Sequence, residues 1–215
     1  MAAEQPAVDV EFFLDPVCPW CWLTSRWVTN VQAETDYSVA WRFISLYVLN
    51  EHKEPSEEMR QAHLGGLRCL RVLDQVRIDH GNDAVAALYT ELGNRIHVEG
   101  RRDELAGDTE SFVAEALTAA GLDPQLAVHT HDESHDATLR DEVETALSRT
   151  GPNVGTPILT FAPGQGEREG SFFGPVISKA PRGDEAVKLW DAVETLATSG
   201  VAELKRSLRA KPDFT

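Results

Sequence analysis

Two cysteines separated by two residues, Cys18 and Cys21, stand between an apolar run typical of a strand and a stretch with helical periodicity. At this spacing on a helix the two sulfurs share one face, so the pair can close a short disulfide. Cys18 falls at the helix start, where unpaired backbone N–H groups carry partial positive charge and lower the pKa of a thiol. Pro19 falls at the first helical position, where its fixed φ suits the helix and its missing N–H is no loss. The pattern predicts a redox dithiol in which Cys18 is the nucleophile and Cys21 the resolving thiol.

Two other interpretations of the cysteine pair stay open. A four-thiolate zinc site needs two such pairs, and the chain has only one further cysteine, Cys69, so a mixed site would need distant histidines. Two buried, inert cysteines would also fit. The preceding strand, the following helix and the internal proline favour redox chemistry. Cys69 lies between leucines in a helical pattern and is predicted to be a small core residue.

The length and net charge of the chain limit the number of domains and the kinds of partner that can be expected. At 215 residues the chain fits one large domain, or one domain with an inserted lobe. The formal net charge of -15 opposes nucleic-acid phosphates and anionic membrane surfaces, so neither is expected as a partner, although a specific homodimer is permitted. Residues 1–7 hold no basic residue or apolar core of a signal peptide, and no stretch matches a membrane span. We therefore expect a cytoplasmic protein, where such a cysteine pair is more often catalytic than structural.

Hydrophobic periodicity divides the chain into three parts. We predict strands over residues 8–14, 38–46, 157–161 and 171–174, and helices over residues 20–33 and 184–198. The intervening residues 56–149 are charged, alanine-rich and helically periodic, without a predicted strand. A β-α-β start, a helical middle and a β-β-α finish predict an α/β thioredoxin fold with an inserted all-helical lobe. Residues 1–50 and 151–215 would form the thioredoxin-like domain, and residues 51–150 the lobe.

The Cys-Pro-Trp-Cys turn after a strand and the later segment Val-Gly-Thr-Pro at residues 154–157 resemble the DsbA-like branch of the thioredoxin superfamily. The chain is more specifically similar to the actinobacterial mycothiol-dependent nitroreductase family. Three blocks in order carry this similarity: Asp-Pro-Val-Cys-Pro-Trp-Cys-Trp-Leu-Thr-Ser-Arg-Trp at residues 15–27, Asn-Arg-Ile-His at residues 94–97, and Phe-Phe-Gly-Pro-Val at residues 172–176, continuing through Lys179, Pro181, Arg182 and Gly183. The resemblance implies mycothiol as thiol co-substrate, a small aromatic or disulfide substrate, and no tightly bound cofactor.

The resemblance also implies a role for Thr156 and Pro157. X-Pro bonds are usually trans, so the residues alone do not predict a cis bond here. Thioredoxin-like proteins keep a cis-proline opposite the active cysteines, where the backbone of the preceding residue pairs with substrate. Thr156 and Pro157 would then form a substrate platform beside Cys18.

Three more residues are predicted to bind substrate. Trp20 lies inside the active turn and is expected to stay out of the core and stack on an aromatic or thiol substrate, whereas Trp27 is expected in the core. His97 is predicted to supply a proton or hydrogen bond near the sulfur, or to be a solvent-satisfied helix-end residue. Asn50 follows the second strand and is a weaker candidate, with a simple loop cap as the alternative.

A histidine-rich segment raises the question of a metal site. His129, His131 and His135 alternate with carboxylates, but no HExxH pattern occurs, so we interpret the segment as a solvated helix start and predict no metal.

The predicted function is a thiol-disulfide oxidoreductase in which Cys18 attacks a disulfide or activated substrate and Cys21 resolves the intermediate. The absence of a GxGxxG turn argues against a bound dinucleotide. Two alternatives remain. One is a protein disulfide oxidant or isomerase of DsbA type, and the other is a non-catalytic peptide-binding or chaperone module.

Overall fold

The computed structural model describes residues 8–215, so the prediction about a targeting signal in residues 1–7 lies outside the described residues. The strands are β1 (Val10–Leu14), β2 (Val39–Phe43), β3 (Ile158–Phe161) and β4 (Gly170–Phe173). The α-helices are α1 (Pro19–Glu34), α2 (Leu46–Leu49), α3 (Glu57–His80), α4 (Asn82–Gly93), α5 (Arg102–Gly107), α6 (Thr109–Ala119), α7 (Asp136–Thr150) and α8 (Gly183–Ala197). A π-helical turn (Asn94–Val98) follows α4, and 3-10 helices cover Pro124–His131, Glu133–His135 and Gly166–Arg168.

The four strands form one mixed sheet in the order β2-β1-β3-β4. β1 pairs in parallel with β2, as a β-α-β crossover through α1 requires, and pairs antiparallel with β3. β3 and β4 form the predicted antiparallel hairpin. Phe13 lies opposite Ile158, so the residues just before β3 come to the same edge of the sheet as the residues just after β1. This register brings the Thr156–Pro157 segment to the cysteine turn.

Both faces of β1 are buried, and its apolar side chains lie in two hydrophobic clusters on opposite faces of the sheet. Phe12 and Leu14 join the main cluster, which also holds Trp27 of α1. On this side α1 and α8 pack together, and the Trp27 indole N–H donates to the carbonyl of Ala186 at 2.9 Å. Phe13 faces the opposite way and packs in a smaller cluster whose other members are Ile44, Val143, Ala146 and Ile158. The predicted core position of Trp27 is confirmed.

The secondary structure follows the sequence predictions with local differences. The second strand ends at Phe43, not at residue 46, because Ser45 caps the short helix α2 by accepting a hydrogen bond from the Val48 N–H at 3.4 Å. Residues 56–149, all of which the structure describes, contain helices and turns but no strand, as predicted. Within residues 8–215 we find no helix that combines the length and apolarity needed to cross a bilayer.

Helices α1 and α4 approach each other closely where Trp22 meets Gly93. A Cβ atom added at Gly93 would lie 2.1 Å from Cε3 of Trp22, far inside van der Waals contact. Gly93→Ala is therefore expected to lower the free energy of unfolding by about 1–3 kcal/mol through overpacking. Gly107→Ala is the matched control, since Gly107 also ends a helix and its Cβ would meet nothing within 4 Å. Urea unfolding of both variants checks this, and equal stabilities would contradict the packing of Trp22 on α4.

Candidate active site

Cys18 is the N-cap of α1, and its position separates the roles of the two cysteines. Its Sγ accepts a hydrogen bond from the backbone N–H of Cys21 at 3.4 Å, and Pro19 occupies the first helical position as predicted. Both cysteines are free thiols. Cys18 keeps 4% of its surface exposed and Cys21 none, so an incoming substrate meets Cys18 first.

The hydroxyl of Thr156 links the two thiols. Its Oγ1 donates to Cys18 Sγ at 3.0 Å and accepts from the Cys21 S–H at 3.2 Å. The Thr156–Pro157 bond is cis, as the resemblance implied, and Pro157 is buried. The three side chains thus form a hydrogen-bond relay that runs from the Cys21 S–H through Thr156 Oγ1 to Cys18 Sγ.

The surroundings of the two thiols move their pKa values in opposite directions. The pKa of Cys18 is lowered, first by its interaction with the neighbouring Cys21 thiol and then by the hydrogen bonds from Thr156 and the Cys21 backbone, while burial works against the shift. The pKa of Cys21 is raised well above its usual value by burial and by its interactions with Cys18. One thiol of the pair is therefore stabilised as an anion while the other keeps its proton.

A buried carboxyl group, Asp15, organises the turn before Cys18. Its two oxygens accept the backbone N–H groups of Val17 at 2.8 Å and Leu46 at 2.7 Å. Burial raises its pKa to about 6, against the lowering effect of these two hydrogen bonds and of Arg102. Where it is ionised, its charge opposes the Cys18 thiolate and partly offsets the hydrogen bonds that favour it.

Two backbone carbonyls of the same turn, those of Pro16 and Val17, accept hydrogen bonds from side chains that follow α4 in the chain. His97, in the π-helical turn, has its Nε2 at 2.8 Å from the carbonyl of Pro16, and because a carbonyl only accepts, Nε2 carries the proton. The ring stacks on Trp22 with centroids 6.0 Å apart. Burial lowers the pKa of His97 to about 4, so the imidazole is neutral at neutral pH. Arg102 of α5 donates to the carbonyl of Val17.

Trp20 is half-buried at the active turn and stays out of the fully buried core. The C-terminal segment passes beside it, with the Arg209 guanidinium 5.9 Å from the Trp20 ring centroid. The same segment brings Phe214 to 5.7 Å from the His97 ring. The backbone N–H of Asp213 donates to the carbonyl of Ser178 at 2.7 Å and ties the segment to the loop after β4.

Within residues 8–215, Asn50 and Cys69 make no hydrogen bond to the dithiol. Asn50 ends α2, where its Nδ2 donates to the Leu46 carbonyl at 2.8 Å and its Oδ1 accepts from Lys53 at 2.9 Å. These contacts are those of a loop cap, the alternative considered from the sequence. Cys69 is fully buried in the main cluster, as predicted, and burial raises its thiol pKa.

Sequence reasoning missed four features of this site. The Thr156 hydroxyl, the Asp15 carboxyl and the Arg102 guanidinium were not recognised as parts of it, and neither was a second cis bond, Gly174–Pro175. The carbonyl of Pro175 accepts from the Thr24 hydroxyl of α1 at 2.8 Å, which fixes the end of β4 to the active helix. The sequence did contain a signal for Asp15. A lone acidic residue directly after an apolar strand and before the cysteines is expected to be buried and to need hydrogen-bond donors.

Solved structures share this fold. A disulfide isomerase, described as putative, from Nitrosomonas europaea aligns with a TM-score of 0.57 at 14% identity, over 85% of this chain and 95% of that one. The cytosolic disulfide reductase DsbM from Pseudomonas aeruginosa gives 0.54 at 17% identity, over 87% of this chain and 99% of that one. DsbA from the same organism aligns with a TM-score of 0.52 at 16% identity, over 91% of this chain and 86% of that one. The predicted DsbA-like thioredoxin fold is confirmed.

Sequence comparison gives the family. Rv2286c of Mycobacterium tuberculosis, an uncharacterized protein, is 27% identical over 201 residues, which is 92% of this chain and 81% of that protein. The profile of the family described as Rv2466c-like, mycothiol-dependent nitroreductase Rv2466c, matches residues 17–206 and so includes both thiols of the relay. The chain belongs to this mycothiol-dependent nitroreductase family and is a thiol-disulfide oxidoreductase built on the Cys18–Cys21 pair.

Proposed function

We propose that this enzyme transfers two electrons from mycothiol to a small disulfide or nitroaromatic substrate through the Cys18–Cys21 dithiol. The observation that carries the proposal is the pair of hydrogen bonds that Cys18 Sγ accepts from Thr156 Oγ1 and from the Cys21 N–H at a helix start. Donors aimed at one sulfur favour its anion, which is the reactive form of a thiol. The family match supports mycothiol as the small thiol.

With a disulfide substrate, the Cys18 thiolate attacks one sulfur, forms a mixed disulfide and releases the other sulfur as a thiolate. Once Cys18 is no longer anionic, two of the causes that raise the pKa of Cys21 disappear. Cys21 then loses its proton and attacks Cys18 Sγ. The second substrate thiolate leaves and an enzyme disulfide remains, so two electrons have passed to the substrate.

Return to the dithiol consumes two molecules of mycothiol. The Cys18 sulfur of the enzyme disulfide accepts the first as a mixed disulfide, and Cys21 leaves as a thiolate and is reprotonated. Attack by the second releases mycothiol disulfide and the Cys18 thiolate. With a nitro group as acceptor, the same two electrons and two protons yield a nitroso group and water.

The groups around the dithiol have different proposed roles. Thr156 and Pro157 form the platform beside the attacked sulfur, and the Thr156 hydroxyl adds a hydrogen bond to the thiolate. His97 is neutral and its N–H is bound to the Pro16 carbonyl, which favours a positioning role over proton donation. Asn50 supports α2 and is a weaker candidate for substrate contact.

Further proposals concern the cellular compartment, the domain division and the oligomeric state of the protein. A small-thiol reductant implies a reducing compartment such as the cytoplasm. The division into a thioredoxin-like domain and a helical lobe at residues 51–150 and the homodimer stay predictions.

The reductant is tested by mass spectrometry of the oxidised enzyme after incubation with mycothiol or glutathione. We expect mycothiol to give an adduct on Cys18 and then two free thiols, and glutathione to be much slower. Turnover with a nitroaromatic and a disulfide acceptor is followed in the same mixtures. Equal rates with both thiols would contradict the assignment of mycothiol.

Replacement of Trp20 tests substrate stacking. Trp20→Ala is expected to lower kcat/KM for a nitroaromatic substrate about two- to tenfold, the size of one aromatic contact. Trp20→Phe is the matched control and should keep most of the activity, and an aliphatic disulfide should be reduced at the parental rate by both variants. Unchanged nitroaromatic kinetics in Trp20→Ala would refute the stacking role.

A further inference from the structure

Three side chains of the segment between α6 and α7 converge on one point. His129 Nδ1 lies 3.3 Å from Asp132 Oδ2 and 3.4 Å from His135 Nε2, and the latter two atoms are 3.8 Å apart. The sequence interpretation of this segment as a solvated helix start is wrong for His135, which is 6% exposed. The point lies in the helical region, outside the dithiol site described above.

The spacing is that of ligands around one tetrahedral metal ion. Zn²⁺ binds imidazole nitrogen and carboxylate oxygen at about 2.0–2.2 Å, which places neighbouring ligand atoms about 3.4 Å apart in a tetrahedron. The two histidine rings are nearly perpendicular, at 76°, so their nitrogens approach from different directions. Three protein ligands would leave the fourth position to water.

The surrounding hydrogen bonds leave His135 Nε2 and Asp132 Oδ2 available as metal ligands. His135 Nδ1 lies 2.8 Å from Asp74 Oδ2, and because a carboxylate accepts, Nδ1 carries the proton and Nε2 keeps its lone pair. A carboxylate bound to the outer nitrogen is the usual companion of a metal-bound histidine. The two carboxylate oxygens of Asp132 have different partners. Oδ1 accepts a hydrogen bond from the Ser134 N–H at 3.0 Å, and Oδ2 faces the histidines. Arg77 pairs with Asp74 and holds it in place.

We propose that His129, Asp132 and His135 bind one divalent transition-metal ion, with Zn²⁺ as the ion that this nitrogen and oxygen set suits. Through the hydrogen bond from His135 to Asp74, the ion ties the segment before α7 to α3. Without an ion, the same atoms would share one His129 proton in a hydrogen-bonded cluster, and the experiment distinguishes the two arrangements.

The test uses the full chain carrying Cys18→Ser and Cys21→Ser, because the dithiol is itself a zinc ligand. Zn²⁺ is titrated into this protein by calorimetry, and Co²⁺ absorption reports the geometry. We expect one Zn²⁺ per chain, a tetrahedral Co²⁺ spectrum and a higher melting temperature with zinc. His129→Ala and Asp132→Asn should each weaken Zn²⁺ binding at least about tenfold.

His131→Ala is the matched control, because His131 lies in the same segment but faces Glu110 at 3.1 Å. It should bind Zn²⁺ as the parent does. Circular dichroism verifies that each variant is folded, and Asp132→Asn keeps an oxygen for the Ser134 cap. The proposal is overturned if the parent shows no stoichiometric Zn²⁺ binding, or if folded His129→Ala and Asp132→Asn proteins bind Zn²⁺ as tightly as the parent.

Discussion

Cys18→Ser is expected to lower thiol-dependent reduction by about a thousandfold or more, because a serine hydroxyl is neither anionic at neutral pH nor able to form a mixed disulfide. The structure gives no substitute nucleophile at the turn, since Cys21 is fully buried and keeps its proton. Steady-state reduction of a disulfide substrate with mycothiol measures the loss. Substrate binding by the variant should persist, because the platform that we propose for Thr156 and Pro157 is unchanged.

Cys21→Ser complements this variant. It keeps the nucleophile but removes the thiol that resolves the intermediate, so the mixed disulfide on Cys18 should accumulate and add the mass of one small thiol to the intact protein. Cys69→Ala is the control, since Cys69 is a buried core residue and, within residues 8–215, makes no hydrogen bond to the dithiol. Turnover that survives in Cys18→Ser would remove the dithiol from the mechanism. Substrate binding by a wild-type protein without turnover would instead favour a binding module.

Thr156→Val should raise the pKa of Cys18, because it removes one of the hydrogen bonds that favour the anion, and a hydrogen bond to a charged group is worth about 1.5–3 kcal/mol. Valine keeps the branched shape of threonine and removes only the hydroxyl that donates to Cys18 at 3.0 Å. At pH values below the parental pKa the thiolate fraction should fall about 10- to 100-fold, and the rate of attack should fall less steeply, because a more basic thiolate is a better nucleophile. At pH values above the raised pKa the variant should approach the parental rate.

The pH profile of kcat/KM separates this effect from general damage to the site. Thr156→Ser keeps the hydroxyl and should retain a profile close to the parental one. A Thr156→Val profile that is lower at every pH but not displaced would mean that the methyl positions or the fold, and not the hydrogen bond, had changed. A profile identical to the parent would contradict the role of the hydroxyl.

Local sequence signals were enough for the strand, turn and helix that carry the dithiol. Hydrophobic periodicity and the proline at the first helical position determine where α1 begins, and the N-cap position of Cys18 follows from them. The cis bond before Pro157 came from the resemblance alone, because an X-Pro sequence by itself favours trans.

The remaining parts of the site depend on contacts between distant segments. Thr156 is 138 residues from Cys18, and Arg102 reaches the turn from a helix whose own sequence is that of an exposed surface. The burial of His135 depends on Asp74 of α3, which no pattern within residues 129–136 reveals. Such pairings follow from tertiary packing, and a single sequence without the fold does not specify them.

The central claim is that the hydrogen bonds to Cys18 lower the pKa of its thiol, and ultraviolet titration of the reduced wild-type protein tests it most directly. With Cys18→Ser as the reference, we predict that one thiolate signal titrates below the ordinary cysteine pKa of about 8.5. Cys21 and Cys69 should stay silent until strongly alkaline pH, because burial raises both of their pKa values. A Cys18 signal that develops only above the ordinary value would contradict the account.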